Sequence, residues 1–309
     1  MSPPGPAPRR PLRAAVTALL RVAPALRPAV TKLLWRLVYE AASWRRRDPG
    51  AQLMNYGYAE LDGPAPVPGA DGDRWGRALY AAVASGADLA GADVLEVGCG
   101  RGGGAAFVME SLGPRSVTGV DLATTAIRRC RARYGRPGLT FRVGDAERLP
   151  FPDGRFDVVI SVESTHCYPD VPRFLAEARR VLRPGGRLLL ADFRPAETAV
   201  AAVAPVAQVA QVAAVAAPAG GGRPAGDVGD LRRQLSAAGY RTLEEQDITA
   251  HVLAALAVNT PGVRDRVARR VPAPLRRHAL EFSAVEGSGI FTSFAEGRLT
   301  YRRWALARD

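Results

Sequence analysis

Glu96 is a carboxylate inside an otherwise apolar run, Asp93-Val-Leu-Glu-Val97, and that run opens straight into Gly98-Cys-Gly-Arg-Gly-Gly-Gly104. Glycines let the backbone turn tightly and approach a ligand with no Cβ in the way. A carboxylate in a buried strand is costly unless it accepts hydrogen bonds, and a cationic ligand beside the turn would give it a purpose. A strand, a glycine turn and a helix in that order are built to hold a cofactor. Gly98, Gly100 and Gly103 also satisfy the pattern G-x-G-x-x-G, so the glycines alone do not choose between nicotinamide and other adenosyl cofactors.

Three further groups of polar residues fall where such a cofactor, or a substrate beside it, needs partners. Asp121 lies about 20 residues beyond the glycines, where this type of fold places an acidic side chain on ribose hydroxyls. It also precedes Ala123-Thr-Thr-Ala-Ile127, so it can cap a helix, and both roles can hold at once. In Gly144-Asp-Ala-Glu-Arg-Leu-Pro150, Asp145 can accept from an adenine amino group; the other reading is an exposed turn. Ser161 to Pro169 carries Glu163, Thr165, His166 and Tyr168 to the crevice where open α/β sheets bind substrates.

These residues must be placed by strands and helices in alternation. Apolar runs predict strands near 93–97, 116–120, 139–143, 156–160 and 187–191, with helices following Gly102, Ala123 and Pro169. Arg183-Pro-Gly-Gly186 stops the last of these helices before the fifth strand. Gly239–Asp247 and Leu299–Ala307 read as two more strands. The expected class is α/β, a Rossmann-like, doubly wound, mostly parallel seven-stranded sheet with an antiparallel closing hairpin, plus N-terminal and lid helices.

At 309 residues the chain can bury a full core in one α/β domain. Residues 1–74 form an N-terminal segment and helical cap, and 75–309 the main domain, with a helical lid insertion near 196–238. Cys99, Cys130 and Cys167 are an odd number without a C-x-x-C pair, which argues against disulfides and zinc and fits a reducing cytoplasm. No metal site is expected. The net charge of +12 comes almost wholly from arginine, since Lys32 is the only lysine. That bias resembles codon composition more than a nucleic-acid face, so no nucleic-acid partner is expected.

Two segments stand apart. The first eleven residues, rich in proline and arginine, should be disordered. Residues 12–47 then mix leucine, valine and tryptophan with arginine, as basic amphipathic helices broken near Pro24 and Pro28. Arg21 and Arg27 interrupt any secretory pattern. Either the helices cap the domain, or they make peripheral contact with a membrane. The uncharged stretch 198–222 is too rich in alanine, and too interrupted by Pro205, Gln208 and Gln211, to span a bilayer. It reads as a lid over the cleft or as a low-complexity surface insertion.

Taken in order, Glu96-Val-Gly-Cys-Gly100, Asp121, Gly144-Asp-Ala-Glu147, Phe156-Asp157 and Leu182-Arg-Pro-Gly-Gly186 resemble the motifs of the class I S-adenosylmethionine-dependent methyltransferases. More narrowly, Val162-Glu-Ser-Thr-His-Cys-Tyr-Pro169, Phe174-Leu-Ala-Glu177, Ala191-Asp-Phe-Arg-Pro195 and Leu299-Thr-Tyr-Arg302 are similar to the phthiotriolone dimycocerosate O-methyltransferases and related fatty-acid O-methyltransferases. The likeness runs from about Trp35 to the end. It departs at Ala199–Gly222, which is richer in alanine and borders the acceptor pocket, so it bears on the substrate.

The resemblance implies S-adenosyl-L-methionine as cofactor and a hydrophobic or glycosylated small-molecule acceptor of secondary metabolism, methylated on oxygen. Matched positions place Glu96, Gly98 and Gly100 by the methionine part, Asp121 at the ribose and Asp145 with Ala146 at the adenine, with Cys99, Leu122 and Glu147 also in the cofactor set. Glu163 and Tyr56 complete the cofactor set, Tyr56 in an aromatic segment that can close over it. Methyl transfer to an alcohol needs a base, and an imidazole with an ordinary pKa near ~6.5 suits that task. His166 is the candidate, with Asp192 either orienting it or taking the proton itself. His251 and His278 lie in expected helices and read as structural. Methylation of nitrogen or carbon, and a cyclisation that keeps the cofactor as a structural element, stay open on this fold. The oligomeric state is not legible, a homodimer being one form open to the chain.

Overall fold

In the computed structural model, residues 52–62, 73–197 and 226–309 are described, together with helical positions 30, 32, 33 and 36. The expectations for the first eleven residues, for most of 12–47 and for the stretch 198–222 lie outside them.

Strand alternation decides which side chain meets which helical layer. Helix α1 (Arg74–Ala84) leads into β1 (Asp93–Val97), then α2 (Gly103–Ser111), β2 (Ser116–Asp121), α3 (Thr124–Tyr134) and β3 (Leu139–Val143). Next come β4 (Phe156–Val162), α4 (Val171–Val181) and the long β5 (Leu182–Pro195). The chain ends with α5 (Val228–Ala237), β6 (Tyr240–Asp247), α6 (Thr249–Arg270), α7 (Ala273–Phe282), α8 (Gly289–Ala295) and β7 (Leu299–Arg308). Val94, Val158, Ile160 and Leu189 face a core shared with α1, α2 and α6, whereas Leu95, Val97, Val159 and Leu188 face one built with α4 and α5. Glu96 therefore points to the first side.

The seven strands run in the order β3-β2-β1-β4-β5-β7-β6. Strands β1 to β5 pair in parallel, and β7 is antiparallel to both neighbours. The doubly wound order reverses between β1 and β4, which opens a crevice at their carboxyl ends. The closing pair β6 and β7 is antiparallel as expected, with α6, α7 and α8 between its strands in place of a tight turn.

Strand β5 is longer than its apolar run predicts. It keeps pairing with β7 from Arg187↔Ala307 to Pro195↔Leu299, and so carries Phe193 to the crevice wall and Asp192 beneath it. At the other end, Asp157 and Arg183 serve a purely structural cluster. Arg115, Arg155 and Arg183 all donate to Asp93 at the amino edge, and the Asp157 carboxylate accepts from the Asp93 amide.

Helix α4 follows the expected pattern, with Val171, Phe174, Leu175, Ala178 and Val181 buried on one stripe and Asp170 capping it through the Arg173 amide. Helix α2 lies against α1 because Gly104 lacks a side chain, since a Cβ there would sit 2.1 Å from Tyr80 Cζ. Gly104→Ala should lower stability by roughly 1–3 kcal/mol through overpacking, despite the helix propensity gained. Urea midpoints at unchanged slope measure this; a more stable variant would show that Tyr80 yields.

Candidate active site

The glycine turn is pinned before any ligand arrives. Gly98 and Cys99 amides both donate to Val120 O, at 2.9 and 3.0 Å. Gly98 adopts φ +80°, and a Cβ on it would lie 2.5 Å from Ser164 Cβ, so only glycine fits between the turn and the loop after β4. Asp121 holds the turn from the next strand, accepting from the Gly100 amide at 2.9 Å and from the Ala123 amide at 2.8 Å. It thus supports the turn and holds the chain entering α3, but the N-cap position is Ala123 and no side chain caps the helix, so the capping role expected of Asp121 is not met. Above Gly100 the space is open: a Cβ there would meet only Met54 Sδ, at 3.8 Å. That bare floor, flanked by carboxylates on adjoining strand ends, fits an adenosyl cofactor with a cationic head.

Glu96 sits one layer behind this floor. Tyr80 donates its hydroxyl to Oε1, the Ala105 amide also binds the carboxyl, and Oε2 is buried without a partner among the described residues. Burial pushes the Glu96 pKa up to about 7, and the hydrogen bonds from Tyr80 and Ala105 pull against it. Tyr80, Gly98, Cys99 and Gly100 line the crevice; Glu96 does not. A cation in the crevice would feel its charge across Tyr80 and the turn.

Toward the other end, Leu122, Asp145, Ala146 and Glu147 reach the crevice as expected. Asp145 takes the Glu147 amide on Oδ1 at 2.9 Å and Lys32 Nζ on Oδ2 at 2.7 Å. Glu147 is largely committed elsewhere: Oε2 pairs with Lys32 at 2.5 Å and Oε1 accepts from the Asp170 amide at 3.0 Å. Burial opposes the Lys32 charge, but these two carboxylates outweigh it and raise its pKa. The single lysine of the chain therefore occupies the two carboxylates expected at the adenine end.

The loop after β4 supplies the reactive wall. Glu163 adopts φ +48°, a strained conformation for a residue with a side chain. Its Oε1 accepts from the Tyr56 amide at 2.7 Å and the Tyr301 hydroxyl at 2.9 Å. Tyr56 is thereby drawn over the crevice, its ring stacked on Phe193 at 5.5 Å. Burial drives the Glu163 pKa up to about 8.

His166 Nδ1 and Asp192 Oδ1 lie 2.8 Å apart. The His166 amide also donates to Asp192 Oδ2, the Phe193 amide to Oδ1 and the Thr165 hydroxyl to Oδ2. Asp192 is only 1% exposed. Burial alone would raise its carboxyl, yet His166, Arg194 and Thr165 hold it down at about 2. Burial works against a charged His166, but Cys167 and Asp192 raise its pKa well above 6.5. His166 lines the crevice, whereas Asp192 and Thr165 lie beneath it. Of the two roles expected for Asp192, the geometry suits orienting His166 and not taking a proton from the crevice.

Some participants give no local signal in the sequence. Tyr80 and Tyr301 look like core aromatics, and Arg194 like a surface cation, yet Arg194 is 1% exposed and donates to Thr165 Oγ1 at 2.6 Å. Only Lys32, alone among 42 basic side chains, stood out by type. His251 is structural, its Nδ1 2.8 Å from Ala59 O and its ring stacked on Tyr58, and His278 is exposed on α7. Among the described residues no group of three or more His, Cys, Asp or Glu could hold a metal ion.

Residues 95–190 match the family model of the methyltransferase domain. Among solved structures, geranyl diphosphate C-methyltransferase from Streptomyces coelicolor A3(2), determined with S-adenosyl-L-homocysteine, has a TM-score of 0.65 at 20% identity. It covers 88% of this chain and 98% of its own, a likeness of fold alone. Fold and crevice thus define an S-adenosylmethionine-dependent methyltransferase. The phthiotriol/phenolphthiotriol dimycocerosates methyltransferase of Mycobacterium leprae (strain TN) is 37% identical over 281 residues, 90% of this chain and 93% of the relative. The fatty-acid O-methyltransferase of Mycolicibacterium smegmatis (strain ATCC 700084 / mc(2)155) is 37% identical over 298 residues, 96% and 97% of the two chains. The chain belongs to the class I S-adenosylmethionine-dependent methyltransferases, in the group that holds these two relatives.

Glu163 makes a testable electrostatic statement. Folded, it keeps its proton up to about pH 8, whereas an unfolded glutamate releases it near ~4.3. The folded state binds more protons in that interval, so this residue's contribution falls as pH rises through it and levels off above. Glu163→Gln should therefore lose less thermal stability than the wild type between about pH 5 and pH 9. Equal losses, read by parallel melting curves, would place the ionisation elsewhere.

Proposed function

We propose that the protein transfers a methyl group from S-adenosyl-L-methionine to a hydroxyl oxygen of a lipid-like, polyketide-like or glycosylated small molecule, in the cytoplasm. The observation that carries this reading is the His166–Asp192 pair on the wall that faces the glycine turn. Lipid-directed relatives that span nearly the whole chain support the acceptor class.

When bound, the cofactor supplies an activated methyl group on a sulfonium. Gly98, Cys99 and Gly100 would lie along its methionine part with Glu96 behind them, Asp121 and Leu122 at the ribose, and Asp145 and Ala146 at the adenine once Lys32 shares or releases Asp145. Glu147 would act from behind, by holding Lys32 and the Asp170 amide. Tyr56, fixed by Glu163, would close the apolar side and keep water out.

The chain's own task is then positioning and proton removal. With Nδ1–H donated to Asp192, His166 keeps Nε2 as the nitrogen able to accept the acceptor's hydroxyl proton. Asp192 stays ionised and stabilises the imidazolium that results. Since the His166 pKa is raised, the neutral base accumulates only on the alkaline side, and turnover should climb with pH through a midpoint above 6.5.

His166→Ala should cut turnover by about 10²–10⁴-fold with cofactor affinity little changed. Asp192→Asn should move the alkaline midpoint downward, because the charge that raises it is gone. Mass spectrometry across hydroxylated lipids and polyketides, looking for the gain of one methyl group, is the readout. Full turnover in His166→Ala would remove the base from the mechanism, and labelled product on nitrogen or carbon would replace the acceptor class.

A further inference from the structure

Helix α7 has no buried residue. Leu275 and Phe282 are each 45% exposed, and no other element among the described residues presents two large apolar side chains so openly. With Ala279 they recur at i, i+4 and i+7, one stripe along a helix of about 15 Å. The stripe does not end at random: Phe282 also lines the crevice that holds His166.

Around this stripe the surface is cationic. From Val263 to Phe282 there are six arginines, 264, 266, 269, 270, 276 and 277, against Asp265 and Glu281, a net charge of six minus two, or +4. Glu281 is turned inward, accepting from the Gly289 and Ile290 amides. Arg276 reaches back to Val271 O and Ala268 O, at 3.0 and 2.8 Å, and so fastens α7 to the end of α6. Leu275, Arg277 and His278 are exposed.

From this we infer that α7 and the end of α6 rest on an anionic phospholipid surface, with Leu275 and Phe282 dipped into the acyl boundary beside the mouth of the crevice. A short basic amphipathic face binds such a surface through apolar burial plus attraction of its cations to anionic headgroups. Among the described residues no helix is long and apolar enough to cross a membrane, so the contact lies in the interface. The advantage of the position rests on the lipid-like acceptor proposed above, which would pass along the stripe to His166; the contact itself does not need it.

Flotation of the full chain with vesicles of phosphatidylcholine, with or without phosphatidylglycerol, tests this in the absence of any acceptor. Wild type should float with the anionic vesicles and be released by salt. The double variant Leu275→Asp, Arg277→Glu should bind at least about tenfold more weakly while keeping its melting temperature and its activity on a soluble acceptor. Equal flotation of variant and wild type would assign any binding to another part of the chain and overturn the proposal. So would wild type that ignores anionic vesicles, including the case where it captures an acidic protein instead. Failure of methyl transfer would leave this readout untouched, and loss of flotation would leave the proposed reaction untouched.

Discussion

Four donors converge on one buried carboxylate, and the site is arranged around it. Asp192 takes bonds from the Thr165 hydroxyl, the His166 amide and Nδ1, and the Phe193 amide. A charge removed from water is tolerated only when its lone pairs are filled in this way. Filling them fixes the loop after β4 and the His166 ring. The antiparallel partner β7 makes this feasible, because it extends β5 past the end of its apolar run and so carries Asp192 beneath that loop.

The same logic governs the other acidic residues at the carboxyl edge. Asp121 accepts from two backbone amides. For Glu96 and Glu163 burial outweighs the two donors that each carries, and their pKa values rise to about 7 and about 8. Both thus stand near neutrality at physiological pH, Glu96 behind the turn and Glu163 under Tyr56. Arrival of a cation would favour the ionised form of a nearby carboxyl.

Much of this was legible in the sequence because the signals were local. The run Asp93–Val97 followed by glycines specifies strand, turn and helix within one short segment, and Asp121 ends a strand while Asp145 and His166 lie two and four residues beyond one. Their common position at the crevice then follows from parallel pairing alone. What was not legible depends on long-range contact. Tyr80 reaches Glu96 only because Gly104 lets two helices touch. Tyr301, from the last strand, meets Glu163 only because β7 inserts between β5 and β6. The length of β5 was underestimated for the same reason, since pairing with a strand more than a hundred residues later sets it. Lys32 was noticed for its rarity, but its two carboxylate partners are brought to it by the fold.

The account stands or falls on the state of one ring. Nitrogen-resolved NMR of the His166 imidazole, titrated with pH in the cofactor-free protein, reads tautomer and pKa together. A proton on Nδ1 in the neutral form, with titration above 6.5, is the predicted result. A proton on Nε2, or titration at or below that value, would mean that Asp192 does not govern the ring and would contradict the claim.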